Sequence, residues 1–365
     1  MQKVHEAAVD AKIAVATMSL LEPPPTVPLD SILPAEPLLL MGAGPVPIPH
    51  AVARANGVVI NHLGETMDRV IRSLKVMARY AFQTRSERIL GVAGPASAAM
   101  EMAVSNLLWP GRRALCLKTG TFSGRLGEMA TGVGADVRTI TTDTAKPILA
   151  ERVARALAEE HFDVVMLAQG ETSCGVLNAE LPAIAKLCRD HGALLIVDAV
   201  VTLSTMPVEM DGWGLDAVVT GGQKGLSSIP GVSLLAFSER AWEAIERRTA
   251  PMPHWCFDAR RAERFWAHQQ YHYTAPVPGV LALYEALRLV CEEGLEARFE
   301  RHRTSSISLQ AGLSAMGLEL FVPAEHRLNS VVAIGVPRGV DAPQVLSFMS
   351  RKFRVEISGA FGLEI

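Results

Sequence analysis

Two residues whose types carry chemistry stand at the ends of apolar runs. Leu215-Asp216-Ala217-Val218-Val219 leads into Thr220-Gly221-Gly222-Gln223-Lys224-Gly225. A strand there gives way to small residues that let the backbone turn and present one long amine. Upstream, Gly192-Ala193-Leu194-Leu195-Ile196-Val197-Asp198 has the pattern of a fully buried parallel strand ended by a single acid. In open α/β sheets the carboxyl ends of strands line the ligand crevice. An amine at such a place forms a Schiff base once burial or neighbouring charge removes its proton. A carboxylate there needs a cation, because burial without a partner is unfavourable. Taken alone, a lysine beside glycines is more often a solvated loop residue.

The pyridinium nitrogen of pyridoxal phosphate is a cation of the required kind, and a pyridine kept protonated by Asp198 becomes an electron sink for a carbanion at a substrate's α-carbon. Asp198-Ala199-Val200, Thr220-Gly221-Gly222-Gln223-Lys224 and Ser228-Ile229-Pro230-Gly231 together resemble the class V, fold-type I aminotransferases, in particular the alanine-glyoxylate, serine-glyoxylate and ureidoglycine-glyoxylate enzymes. The resemblance runs from Gly42-Ala43-Gly44-Pro45-Val46 through Phe82-Gln83-Thr84-Arg85, Gly170-Glu171-Thr172-Ser173-Cys174-Gly175 and Glu293-Gly294-Leu295-Glu296 to Val355-Glu356-Ile357-Ser358-Gly359. It implies an α/β fold in three parts: an extension at 1–40, a large coenzyme-binding domain at 41–295 with a mostly parallel central sheet flanked by helices, and a smaller α+β domain at 296–365.

The same resemblance implies roles. Lys224 would hold the coenzyme as an internal aldimine and shuttle the proton, and Asp198 would sustain the electron sink. Ala96 and Ser97, at a strand-to-helix turn beginning Gly94-Pro95, would form the phosphate cup with Gln223. Family members usually have a hydroxyl residue and a second glycine where this chain has Pro95-Ala96, so an amide donor is missing at Pro95. Phe122 would stack on the pyridine ring, though a lone Phe is equally a core residue. Thr172 would bond the ring oxygen or its neighbours. Tyr271 and Thr274, in Gln270-Tyr271-His272-Tyr273-Thr274, would reach the phosphate of a neighbouring subunit, which makes the expected protein a homodimer with shared sites. Gly44 falls at the substrate mouth; His62 could orient a substrate or serve structure alone.

Elsewhere, spacing predicts a helix over Met67 to Phe82, strands at Ala114-Leu117 and Val164-Leu167, one long helix from Val280 to Arg303, a strand over Asn329 to Val336 and a helix over Ala342 to Phe353. The family's substrate-clamping arginine lies on a strand beyond the equivalent of Gly362, whereas this sequence stops at Leu363-Glu364-Ile365. The small domain is therefore expected to be truncated, and loss of a bidentate arginine weakens carboxylate binding by roughly ten- to a hundredfold.

Composition fits a soluble enzyme of small metabolites, with 365 residues, 49% hydrophobic, 20% charged and a net charge of -3. No basic cluster suggests nucleic acid, and the apolar Ile13 to Leu21 is too short to span a bilayer. Five cysteines without paired spacing argue for free thiols, a reducing cytoplasmic compartment and no metal site. The expected reaction moves an amino group from a small amino acid to glyoxylate or another small 2-oxo acid. Two alternatives stand beside it. One is a lyase or desulfurase of the same fold, with Cys174 as the sulfur nucleophile; the other is a truncated relative that binds the coenzyme without efficient turnover.

Overall fold

A computed structural model of the chain describes residues 23–359. The Ile13 to Leu21 run and the last six residues, with Phe361 to Ile365 among them, lie outside the described residues. The chain divides at Pro37 into two units. In the first, one short 3-10 turn, Leu29–Ser31, follows the proline run Pro23-Pro24-Pro25.

The second unit begins with β1 (Leu39–Leu40), α1 (His50–Asn56) and α2 (Glu65–Phe82). On α2, Met67, Ile71, Leu74, Ala78, Ala81 and Phe82 are buried at helical spacing, so the apolar stripe that predicted this helix is the face it packs inward. A central sheet is then laid down alternately with helices: β2 (Ile89–Ala93), α3 (Ala96–Leu107), β3 (Arg113–Lys118), α4 (Thr121–Gly132), β4 (Asp136–Thr141), α5 (Ala150–Glu159) and β5 (Val164–Ala168). A small hairpin of β6 (Gly170–Glu171) and β7 (Val176–Leu177) interrupts the alternation. It resumes with α6 (Leu181–Asp190), β8 (Leu194–Asp198), α7 (Met210–Trp213), β9 (Ala217–Gly221), β10 (Val232–Phe237), α8 (Glu239–Glu246) and α9 (Ala259–His268).

The seven strands lie in the order β2-β10-β9-β8-β5-β3-β4. Only β10 runs antiparallel to its neighbours; the other pairings are parallel. Every residue of β5, β8, β9 and β10 is buried, which is why these segments read as continuous apolar runs.

Beyond the sheet come α10 (Val277–Glu293), α11 (Leu295–Ala315), α12 (Ala342–Phe348) and β11 (Val355–Glu356). The single helix expected from Val280 to Arg303 is two helices, broken at Gly294, whose φ of +80° departs from the helical region. Asn329 to Val336 is not a strand. Its ladder contacts are confined to a bridge between Leu320 and Ile334 and bonds from Phe321 and Gly335 to the facing segment, because no neighbouring strand continues the pairing. The predicted helix over Ala342 to Phe353 is α-helical only to Phe348 and widens into a π-turn at Met349–Phe353. β11 pairs in parallel with β1, Leu39 opposite Val355 and Leu40 opposite Glu356, and so joins the last described residues of the second unit to its beginning. Among the described residues no helix is long and apolar enough to cross a membrane.

Asp216 secures the part of the sheet that bears the two candidate residues. Its buried carboxylate accepts from the Leu195 amide of β8 at 2.9 Å, from Ser238 Oγ at 2.9 Å and from Arg240 Nε at 3.0 Å. Asp216→Ala leaves the Leu195 amide without an acceptor, while Arg240, 38% exposed, falls back to water. The expected loss is about 2–3 kcal/mol, measured as a lower urea midpoint with an unchanged slope.

Candidate active site

β8 and β9 are neighbours in the sheet, with Asp198 opposite Val219. Beyond Gly221 the chain turns at once, and at Gly222 a Cβ would stand 2.4 Å from the Ile229 carbonyl oxygen, so only glycine passes. This turn brings Lys224, half-buried, to the crevice at the strand ends. Its Nζ donates to the Ala43 carbonyl oxygen. Gly44 has a φ of +102°, and a Cβ on it would lie 2.6 Å from Nζ. The loop expected at the substrate mouth thus rests against the lysine.

Asp198 is 5% exposed. Its carboxyl makes one hydrogen bond among the described residues, with Oδ1 accepting the Val200 amide at 2.8 Å. Burial pushes the carboxyl up to about 7; the Val200 bond and the charges of Lys224 and Arg125 pull it down, and the charge of Glu171 pushes it further up. Burial also lowers Lys224 below the ordinary lysine value, and the charge of Asp198 works against that. The two groups therefore lie within electrostatic reach, but no hydrogen bond joins them. An acid without a bonded cation and an amine biased toward its neutral form are what a cationic heterocycle carrying an aldehyde requires.

Some of the remaining candidates connect to this pair through Glu171, Arg125 and Gln223. Phe122 opens α4, half-buried, with the Arg125 guanidinium 4.7 Å from its ring centroid. The helix start is fixed by Glu171, fully buried, whose Oε1 accepts the Phe122 amide at 3.1 Å and Ser173 Oγ at 2.6 Å. Its Oε2 accepts the Ser123 amide at 2.9 Å and Ser123 Oγ at 2.7 Å. A carboxylate suits a helix N-terminus, where the unsatisfied amides and the dipole favour negative charge. Thr172 is buried in the turn between β6 and β7. Ala96 and Ser97 begin α3, and the first of them meets Gln223 across Gly221: a Cβ at Gly221 would lie 2.6 Å from Gln223 Oε1 and 2.7 Å from the Ala96 methyl. Gln223 Oε1 is buried without a partner. As expected, Pro95 stands at the cap of α3 with no side-chain bond there.

Tyr271 and Thr274 are exposed, and neither bonds the Lys224 group within this chain. The contact made by His62 is with Tyr271, edge-on with ring centroids 5.9 Å apart, and His62 Nε2 is a buried atom without a partner. Cys174 packs with Ala145, Val176 and Val322, and burial pushes its thiol up to about 12. A fixed, protonated thiol is a poor sulfur nucleophile, which counts against the desulfurase alternative. All five cysteines are free thiols.

Three contributors escaped the sequence reading. Glu171 carried a signal, being a lone acid just past a buried strand as Asp198 is. Arg298 carried none beyond helical spacing; nearly buried, it donates to the Gly225 carbonyl at 2.8 Å and to Ser204 Oγ at 3.2 Å, tying α11 beneath the lysine turn. The Ala43 carbonyl, a backbone group, has no sequence signature at all.

Pyridoxal phosphate fits these residues: among the described residues Asp198 has no bonded cation and Gln223 Oε1 has no partner, and the missing side chains of Gly44 and Gly221 leave room beside Lys224 and Gln223. Comparison with known proteins agrees. The family model of the class-V aminotransferases matches residues 50–363. The alanine–glyoxylate aminotransferase of Oryctolagus cuniculus is 36% identical over 332 residues, 89% of this chain and 84% of that protein. The (S)-ureidoglycine–glyoxylate transaminase of Bacillus subtilis (strain 168) is 30% identical over 343 residues, 88% of this chain and 82% of that protein. The crystal structure of an alanine–glyoxylate aminotransferase from Nostoc sp. is similar with a TM-score of 0.87 and 33% identity, over 92% of this chain and 91% of that one. With a family match across most of its length and a sheet of the same architecture, the chain belongs to the class-V aminotransferase family, the pyridoxal-phosphate-dependent transaminases of fold type I.

Proposed function

We propose that this aminotransferase takes the amino group of a small amino acid such as alanine or serine and delivers it to glyoxylate or a similar small 2-oxo acid. The names of its relatives support the acceptor class. The observation that carries the chemistry is Lys224 beside a buried Asp198 at adjoining strand ends. When bound, the coenzyme supplies an electron sink conjugated to the substrate's α-carbon. Lys224 Nζ would hold the coenzyme covalently and would carry the proton between the substrate α-carbon and the coenzyme carbon. Asp198 keeps a proton on the ring nitrogen. Phe122 would cover the ring face and exclude water, with Glu171 holding the helix start that carries it. Thr172 would bond the ring oxygen, and the start of α3 at Ala96 and Ser97, with Gln223, would receive the phosphate. Gly44 borders the substrate.

In this reading the protein is a cytoplasmic homodimer, and Tyr271 and Thr274 complete the phosphate site of the neighbouring subunit with His62 packed behind the tyrosine. Residues 1–40, 41–295 and 296–365 are its extension, large domain and small domain.

Two outcomes test the pair. Lys224→Ala lowers alanine-to-glyoxylate turnover by at least about a thousandfold, as loss of both nucleophile and proton carrier requires; turnover within tenfold of wild type defeats the assignment. The second concerns the coenzyme-free protein. Because burial raises the Asp198 carboxyl in the folded state to about 7, the stability it contributes is full below the unfolded value of about 4 and is lost as pH rises through 7. Relative to Asp198→Asn, the wild type should lose on the order of 4 kcal/mol across that window. Saturation with pyridoxal phosphate should abolish the difference, which urea midpoints at successive pH values measure.

A further inference from the structure

We propose that Ser358 is a positioning residue for Lys224, acting through the backbone of Ala43. The Ala43 amide donates to Ser358 Oγ at 3.1 Å, while the carbonyl of the same residue accepts from Lys224 Nζ. Pairing of β1 with β11 sets this arrangement up. The Met41 amide bonds the Glu356 carbonyl at 2.7 Å, which carries Ser358, two residues on, to the Gly42-Ala43 peptide. At Gly42 a Cβ would stand 3.0 Å from Ser358 Oγ, tight enough to push the hydroxyl aside by a few tenths of an ångström. On the far side of the loop the Val46 amide bonds the Gln223 carbonyl at 3.1 Å, next to the lysine itself. Residues 42–46 are thus a bridge fastened at one end to the C-terminal segment and at the other to the lysine turn.

The physical consequence follows from what faces Nζ. Burial favours the neutral amine, whereas the charge of Asp198 and the lone pair of the Ala43 carbonyl favour the ammonium; Glu171 and Arg125 enter through their effect on Asp198. Asp198 is fixed by its strand. Ser358 holds the peptide before Ala43 and the Val46 bond holds the loop after it, so the Ala43 carbonyl, which belongs to the following peptide, is constrained through the backbone of Ala43 from both sides. Ser358 therefore helps set how readily Lys224 gives up its proton, and gives the displaced amine a defined acceptor during turnover.

This inference rests on Lys224 being the amine that takes the coenzyme, and the experiment separates the two. Coenzyme-free protein is mixed with pyridoxal phosphate across a range of pH, and the rate of capture is followed by visible absorption. In that step Nζ forms a carbon–nitrogen double bond with the aldehyde carbon and the aldehyde oxygen leaves as water, so the rate follows the free-base fraction of Lys224. Ser358→Ala should move the midpoint of the pH profile down by about half a unit, making capture about threefold faster on its acid side. Ser358→Thr should restore the wild-type midpoint, and Gly42→Ala, which crowds the hydroxyl from the other side, should reproduce the shift. A wild-type midpoint in Ser358→Ala overturns the proposal, as does a rate lowered at every pH with the midpoint unmoved. Coenzyme fixed by borohydride in Lys224→Ala would instead overturn the assignment of Lys224.

Discussion

A carboxyl group buried at the end of a strand is unfavourable in its charged form unless something positive meets it. Asp198 is in that position, almost wholly buried, bonded through its side chain to one backbone amide. Much of the surrounding architecture makes sense as provision for that one group. The neighbouring strand ends in a glycine turn that delivers Lys224 within electrostatic reach of it, with no hydrogen bond between the two. A direct ion pair between the two would satisfy both charges and leave nothing for a coenzyme to do.

Holding two such groups apart in a crevice requires support from outside it. Glu171 gathers the amides and hydroxyls at the start of α4 and so fixes the loop bearing Phe122. Arg298 reaches up from α11 to the Gly225 carbonyl just past the lysine, itself balanced by Glu293, which it and Arg301 hold well below the usual carboxylate range. These are ionised groups spending their bonds on backbone atoms, an arrangement that specifies direction as well as attraction. The lysine turn is thereby held from beneath by α11 and from above by the loop at Ala43.

How much of this was legible in the sequence depended on whether a feature had a local cause. The strands that end in Asp198 and Gly221 are buried on both faces, so their apolar runs announced them. The break between α10 and α11 was missed because helix lies on both sides of Gly294, and the backbone there, with φ +80° and ψ 143°, is what separates the two. Asn329 to Val336 misled in the opposite sense: β-branched residues favour extended backbone, but a strand needs a partner, and that segment has one bridge. Cys174 sits in a tight polar loop, and the fold packs it among apolar side chains.

The sequence by itself determined the chemical inventory: one acid and one amine, each placed by a buried strand and a glycine turn, with the small residues that a planar coenzyme needs around it. Hydrophobic period and turn chemistry are properties of neighbouring residues, and so they can be read along the chain. The tertiary structure alone decided which strands lie side by side, that Asp198 is in register with Val219, and that a carbonyl 181 residues before Lys224 becomes its hydrogen-bond partner. Such contacts join backbone atoms of distant segments, and a backbone atom is the same at every residue, so no pattern of side chains could have foretold them.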